Sequence, residues 1–152
     1  MFVPIYEDKA AESENQRSLV LRYVYGDTSV LFTGDMEDKE EMLLVRNGMI
    51  EETDILKVSH HGSKTASTES FLQALSPETA VISCGANNLY GHPHQEVLER
   101  LSACGAEILR TDEMGSVVVT ILPRDEAEVT TAAERKPIYE RIKEAMEGTP
   151  IP

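Results

Sequence analysis

The chain lacks several features that mark common classes of protein. It contains no tryptophan, aromatic residues make up 5% of its 152 residues, and its two cysteines are too few for a disulfide scaffold. No apolar run approaches the roughly eighteen residues that a membrane-spanning helix needs. We therefore expect a soluble chain that forms one domain, with a core built mainly from aliphatic side chains.

Positive charge is also scarce. Lysine and arginine number 14 against 27 aspartates and glutamates, so the formal net charge is −13. Broad nucleic-acid-binding surfaces usually carry a basic stripe, and the sequence has no such stripe. The charge therefore argues against extended contact of this chain with DNA or RNA.

Alternating apolar patterns predict an α/β domain. Two strands around the Gly26-Asp27 turn are expected to form an antiparallel hairpin, and from Asp54 onward strands alternate with helices through short connections. Residues 17–122 form the predicted domain, after a flexible lead-in over 1–16 and before a linker and C-terminal helix over 123–152. Strands are predicted over 17–25, 29–33, 54–59, 79–84, 106–110 and 116–122, and helices over 37–47, 67–75 and 94–104.

All four histidines fall in two pairs that follow predicted strands. His60 and His61 come directly after one strand, His92 and His94 follow the next, and Asp35 closes an earlier strand in a matching place. Because the carboxyl ends of strands in an open α/β sheet meet at one edge, these side chains can converge. Aspartate and histidine are ligands that zinc and manganese sites use. The pattern therefore indicates a metal-dependent hydrolase.

Each part of this pattern also has an ordinary structural explanation. Asp35 follows Gly34 in a sequence typical of a turn. The residues around His92 and His94 match a helix start, with Pro93 in the first turn. The functional interpretation is favoured because three successive strand ends repeat the same placement.

Residues 18–121 resemble the metallo-β-lactamase superfamily and, within it, the hydrolase-like domain of ComEC-type DNA-uptake proteins. The resemblance covers about two-thirds of the chain and rests on the order of its motifs, their spacing and the residues that they contain. The fold that it implies is an αββα sandwich, of which this chain would form the second half: a mixed sheet with helices packed on one face. The matching segments are Ser18–Arg22, Tyr25–Asp27, Leu31–Asp35, Asp54–Thr65, Val81–Gly85, Tyr90–His94 and Arg110–Glu113.

The resemblance also implies roles in a centre that holds two divalent ions, zinc or manganese. Asp35 matches the carboxylate that bridges the two ions, and His92 matches a ligand of the second ion. His60 and His61 match a pair beside the metals, where one imidazole contacts the scissile phosphate or the leaving group. Which histidine of each pair is a ligand stays open. The implied reaction is attack of a metal-bound hydroxide on a phosphoester.

Two further side chains are candidates for substrate binding. Gly62 permits a sharp turn that would present the Ser63 hydroxyl and nearby N–H groups beside the imidazoles. Lys64 comes next in the sequence, where its charge could attract a phosphate.

The chain departs from the family in one respect. The family opens its site with a His-x-His-x-Asp-His motif and a further histidine, whereas no histidine precedes Asp35 here. The isolated chain is therefore predicted to lack most of a dinuclear site and to be inactive. Half of a sandwich would expose an apolar sheet face, so we expect a partner: the missing N-terminal half or a second copy. The residues expected on that face are Leu19, Leu21, Ile55, Val58, Val81 and Ile82.

Three functions are compatible with these observations. The first is half of a phosphodiesterase or nuclease acting on DNA, carried as a soluble appendage by a longer protein of the bacterial cell membrane. The second is a degenerate, non-catalytic binding or structural module. The third is a small-molecule metallohydrolase of the same fold, such as a choline-phosphoester or lactone hydrolase. The residues of the segment His60–Thr65 favour phosphoesters, and the acidic surface weighs against DNA.

Overall fold

Most of the helices and strands lie close to where the sequence predicts them. The computed structural model describes residues 2–3, 13–122 and 126–131. The strands are β1 (Phe2–Val3), β2 (Val20–Tyr25), β3 (Thr28–Phe32), β4 (Ile55–Lys57), β5 (Thr79–Ile82), β6 (Glu107–Arg110), β7 (Val117–Leu122) and β8 (Glu126–Thr131). The helices are α1 (Asp38–Arg46), α2 (Glu69–Leu75), α3 (Gln95–Ala103) and α4 (Thr111–Met114). No helix in this part of the chain is long and apolar enough to cross a membrane.

Six strands form one mixed sheet in the order β1-β2-β3-β4-β5-β6. β1, β2 and β3 are antiparallel neighbours, whereas β3, β4, β5 and β6 run parallel. Parallel strands place the carboxyl ends of β3, β4 and β5 along the same edge of the sheet. The predicted α/β fold with a mixed sheet is confirmed.

The helices cover one face of this sheet and form the main core with it. The strand side chains that point to this face alternate with those that point away, as the pleat of a strand requires. The buried cluster joins Leu31, Leu56, Val58, Ala80 and Ile82 of the strands and their ends with Leu44 of α1, Phe71, Leu72 and Leu75 of α2, and Val97 and Leu101 of α3. This packing fixes the strand ends that carry the candidate site.

The opposite face of the sheet is only partly covered. β7 and β8 form a separate antiparallel pair, and β7 faces the sheet across a cavity of about 510 Å³. Tyr23 and Phe32 on this face stay 49% and 45% exposed. The cavity is lined by Leu21, Tyr23, Val30, Phe32, Ile55, Lys57 and Val81 of the sheet and by Val117, Val119 and Ile121 of β7.

Two details of the sequence prediction are wrong. Val58 and Ile82 were expected on the open face, but both are fully buried on the helix side, because alternation gives the open face to Lys57 and Val81. The linker predicted to follow residue 122 is wrong for β8, whose β-branched residues pair with β7. The predicted C-terminal helix lies outside the described residues, as does most of the predicted lead-in.

A buried carboxylate joins α1 to α2. Glu41 is fully buried, and its two oxygens accept hydrogen bonds from the backbone N–H groups of Ser67 at 2.5 Å and Thr68 at 2.7 Å. Thr68 is the N-cap residue of α2 and makes no side-chain cap of its own. Burial raises the pKa of Glu41, and these hydrogen bonds oppose the shift. The first helix thus supplies the cap that the second lacks.

We expect Glu41→Ala to lower the free energy of unfolding by about 2–4 kcal/mol, because two N–H groups lose their buried acceptor. Urea denaturation measures the change. Glu69→Ala is the control, since this exposed acid in the first turn of α2 accepts a hydrogen bond from the Gln73 side chain, which is itself exposed. It should cost less than about 0.5 kcal/mol. Equal losses in the two variants would contradict the role of Glu41.

Candidate metal centre

Backbone hydrogen bonds bring the loops at three strand ends together. The loop after β4 donates from His60 N to the carbonyl of Gly34, in the loop after β3, at 3.0 Å. The loop after β5 donates from His94 N to the carbonyl of Gly62 at 2.9 Å. The aspartate and the two histidine pairs singled out from the sequence therefore lie at one edge of the sheet.

The central loop has an unusual backbone. His60, His61 and Gly62 have φ angles of 46°, 55° and 82°. Such angles cost roughly 1–3 kcal/mol at a residue other than glycine, and they concentrate at functional sites. A Cβ placed on Gly62 would lie 2.6 Å from Cβ of Pro93, so only glycine lets the two histidine-bearing loops approach this closely. The loop presents two adjacent imidazoles, and the conformation that does so strains its backbone.

Asp35 and His61 form a pair of potential metal ligands. His61 Nδ1 lies 2.7 Å from the Ser83 carbonyl oxygen and, because a carbonyl only accepts, Nδ1 carries the proton. In the neutral ring Nε2 therefore presents a lone pair, and Nε2 lies 3.5 Å from Asp35 Oδ1. Two tetrahedral ligands at typical zinc distances are about 3.4 Å apart. The separation thus fits two ligands of one divalent ion, with a carbonyl orienting the imidazole.

The second histidine pair lies beside the first. The ring of His92 is 5.8 Å from that of His60 and 4.9 Å from that of His94, and Tyr90 stacks on it at 5.7 Å. His94 Nδ1 accepts a hydrogen bond from Lys64 N at 3.2 Å, so the neutral His94 ring carries its proton on Nε2. Burial lowers the pKa of His92, and the other three histidines add to this effect against the pull of the nearby aspartate. These effects favour the neutral form of the His92 ring.

The structure pairs Asp35 with His61, whereas His92 lies among the other histidine rings. Among the described residues, no three His, Cys, Asp or Glu side chains come close enough together to hold a metal ion. The side chains at this edge therefore fit part of a metal centre. That His92 is a second ligand stays a prediction.

The two predicted substrate-binding residues have structural contacts. Ser63 is 5% exposed, and its hydroxyl lies 3.0 Å from Thr65 Oγ1. The carbonyl of Lys64 accepts from Arg100 Nη2 at 3.4 Å, and Lys64 lines a groove between α2 and α3. Their part in substrate binding stays a prediction.

Two charged residues that the sequence did not single out also lie at this edge. Glu37 Oε1 is 3.3 Å from His60 Nδ1. Lys57 donates from Nζ to the Val58 carbonyl at 2.8 Å; burial lowers the pKa of Lys57, and the charge of Asp35 opposes that shift. In the sequence Glu37 looked like one of several acids at a helix start, and Lys57 like an outward strand residue. Neither carried a motif that could have identified it.

A polar cluster of Cys84, Arg110 and Asp112 lies at the end of this edge next to β6. Cys84 Sγ donates to Asp112 Oδ1 at 3.2 Å, and Arg110 binds the same carboxylate through Nε at 3.2 Å and Nη2 at 2.7 Å. Arg110 lowers the pKa of Asp112. Burial, followed by the hydrogen bond to Asp112 and its charge, raises the pKa of the Cys84 thiol to about 11. The thiol is therefore protonated at neutral pH.

The sheet, the helices on one face and the Asp–His edge are the features of a metallo-β-lactamase domain. The chain matches the Metallo-beta-lactamase superfamily over residues 10–86, about half of its length. The chain therefore belongs to this superfamily.

Its similar proteins include three that bear the names of competence or recombination proteins. It is 45% identical over 105 residues to ComE operon protein 3 of Bacillus subtilis, covering 69% of this chain and 14% of that protein. It is 44% identical over 105 residues to Competence protein ComA of Neisseria gonorrhoeae, covering 68% and 15%. It is 36% identical over 131 residues to Recombination protein 2 of Haemophilus influenzae, covering 86% and 16%. The predicted resemblance to ComEC-type proteins is confirmed, and the chain spans a small part of each relative.

We expect Gly62→Ala to lower the free energy of unfolding by about 2–5 kcal/mol, because the methyl group collides with Pro93 in addition to straining the backbone. Gly91→Ala is a matched control. Its φ is 70° and no atom lies within 4 Å of the added Cβ, so only the backbone cost of about 1–2 kcal/mol applies. Urea denaturation compares the two variants. A loss for Gly62→Ala no larger than for Gly91→Ala would contradict the close contact of the loops.

We expect alkylation of Cys84, measured with iodoacetamide in a Cys104→Ala background, to accelerate about tenfold per pH unit until the pH reaches about 11. The reason is that only the thiolate reacts and its population rises with pH. Asp112→Asn removes the charge that disfavours the thiolate, so it should lower the pKa of Cys84 and speed the reaction at pH 8. Glu113→Gln, which alters another partner of Arg110, is the control. A rate that levels off near the ordinary thiol pKa would contradict the raised pKa.

Proposed function

We propose that this chain is the second half of a metal-dependent phosphodiesterase domain in a longer competence protein, and that it is inactive by itself. Membership of the metallo-β-lactamase superfamily supports metal-dependent hydrolysis as the class of chemistry. The names of its relatives support a place in DNA uptake. The match to about 14–16% of each relative supports a role as part of a larger protein.

The observation that carries the proposal is the pairing of Asp35 with His61. The Ser83 carbonyl fixes the proton of His61 on Nδ1, so that Nε2 presents its lone pair 3.5 Å from the carboxylate. An imidazole oriented by a carbonyl behind it is the usual arrangement of a histidine that ligates a metal. The strained backbone at His60 and His61 adds support, because a strand end without such a task would relax to ordinary angles.

Two divalent ions, zinc or manganese, would polarise the phosphate and lower the pKa of a bound water. Asp35 and His61 would hold part of that group. The neutral ring of His92, beside them, is a further candidate ligand. His60 would contact the phosphate or the leaving oxygen, and Lys57 would place a positive charge close to Asp35. Ser63 and Lys64 would border the substrate through their loop.

The incomplete ligand set calls for a partner that supplies the remaining ligands. The rest of the longer protein is the partner that we favour, because the sheet face opposite the helices is apolar and leaves Tyr23 and Phe32 about half exposed. A covering layer there would bury both side chains and complete a sandwich. A second copy of this chain is the alternative partner.

Two other functions remain candidates. The absence of three convergent ligands in the described residues favours a binding or structural module without turnover. The net charge of −13 favours a small phosphoester over DNA as substrate, because a long polyanion would be repelled. The sequence similarity to competence proteins is the reason for placing DNA first.

Metal content and phosphodiesterase activity test the proposal together. We expect the full-length protein to hold zinc or manganese in stoichiometric amount after dialysis, and to hydrolyse bis(p-nitrophenyl) phosphate and a DNA oligonucleotide. The isolated chain should bind metal weakly and hydrolyse neither substrate. Asp35→Ala and His61→Ala in the full-length protein should weaken metal binding about 100-fold or more, since even the loss of an outer partner costs 10–100-fold.

Asp38→Asn is the control, because it removes an exposed acid three positions after Asp35. It should leave metal content and activity unchanged.

The metal content of the His92→Ala variant decides whether that residue is a second ligand. Light scattering on the isolated chain separates a dimer from a monomer. A full-length protein without zinc or manganese, or an Asp35→Ala variant with normal metal content, would contradict the proposed function.

A further inference from the structure

Glu37 occupies a central position between three segments. It is the N-cap residue of α1 and forms a capping box with Glu40, whose Oε2 accepts from Glu37 N at 3.2 Å. Its Oε1 also accepts from Thr65 Oγ1 at 3.0 Å and from Asn15 Nδ2 at 3.5 Å. These contacts hold the carboxylate between the start of α1 and the histidine loop, at 28% side-chain exposure.

His60 lacks a well-formed hydrogen bond on one side of its ring. Its Nδ1 is buried and has no hydrogen-bond partner among the described residues. Glu37 Oε1 lies 3.3 Å from this nitrogen, which is within ion-pair distance although the two groups are not aligned as a hydrogen bond. A buried ring nitrogen without a partner is costly, and a small rotation of the imidazole would give it one. The carboxylate is therefore the natural acceptor for a proton on Nδ1.

The backbone leaves His60 little freedom to turn elsewhere. Its φ of 46° and ψ of 41° fix the direction in which the side chain leaves the loop, and its N–H is bonded to the Gly34 carbonyl. The ring also meets the ring of His92 edge-on, with the centroids 5.8 Å apart. The choice of which nitrogen carries the proton thus depends on Glu37.

We infer that Glu37 is the positioning residue for His60. Its carboxylate, held by the capping box and Thr65, accepts the Nδ1 proton of His60 and so leaves Nε2 as the unprotonated nitrogen of the ring. This resembles the relation of a carboxylate to a catalytic imidazole in which the carboxylate orients the ring and selects its tautomer.

The consequence for the reaction rests on the proposed function. With Nδ1–H held by Glu37, the ring of His60 keeps one orientation and its Nε2 is free to accept a hydrogen bond from water or substrate. Glu37 would then act through His60, beside the residues Asp35 and His61 that would hold metal.

The tautomer of His60 in the isolated chain tests the inference without any activity. The chain has four histidines, so long-range ¹H–¹⁵N spectra at about pH 8, where imidazoles are mostly neutral, resolve each ring once His60→Gln has identified the signal. We expect Nδ1 of His60 to be the protonated nitrogen in the wild-type chain and in Glu37→Gln, whose amide oxygen still reaches the ring. Glu37→Asp keeps a preferred N-cap residue but withdraws the carboxylate by one methylene, so we expect a mixture of tautomers.

Asp38→Asn is the matched control, because it removes an acid from the first turn of α1 that makes no contact with His60 in the described structure. It should leave the tautomer unchanged, and urea midpoints should show that Glu37→Asp is still folded. A His60 ring that carries its proton on Nε2 in the wild type, or that is identical in wild type and Glu37→Asp, would overturn the inference. In the full-length protein Glu37→Asp should lower kcat at least tenfold with KM little changed. A wild-type protein without hydrolysis would contradict the proposed function, and the tautomer would still decide the role of Glu37.

Discussion

The candidate site depends on how the loop of residues 60–62 is held between its neighbours. The loop donates a backbone hydrogen bond to Gly34 on one side and accepts one from His94 on the other. Both bonds require the loop to approach closely, and Gly62 alone makes that approach free of collision with Pro93. Because these are backbone contacts, they fix the Cα position of each candidate site residue, and this position does not depend on the type of side chain. The side chains then need only short adjustments to meet.

The electrostatics of the edge reflect a chain with an excess of acids. Asp35 and Glu37 pair with histidines, and the partly buried Lys57 interacts with the charge of Asp35. By contrast, Asp112 at the far end is neutralised by two hydrogen bonds from Arg110. A carboxylate left with imidazoles as its partners retains the capacity to bind a divalent cation. The end of the edge with Asp112 therefore has a structural role, whereas the end with Asp35 has a carboxylate that is available to bind a cation.

The sequence predicted the order of elements because their apolar periods are regular and their ends carry clear turn residues. It also predicted that Asp35 and the histidine pairs meet, since parallel strands bring their carboxyl ends to one edge. It did not predict which pairs form, because the pairing of His61 with Asp35 depends on backbone angles that no local pattern reveals. β8 was missed because its glutamates and threonines resemble a linker and pair only with β7. Glu37 was missed because its second role arises from a contact between residues 23 positions apart.

The positive φ angles of His60 and His61 have a consequence for how this protein can change over time. Glycine or asparagine would adopt the same angles at lower cost, so a lineage released from the need for imidazoles would gain stability by replacing them. Histidine at both positions thus makes the fold less stable than glycine or asparagine would. In a copy of this domain that had lost its chemical role, we expect glycine or asparagine to replace these histidines. The residues at the two positions therefore indicate whether selection still maintains that role.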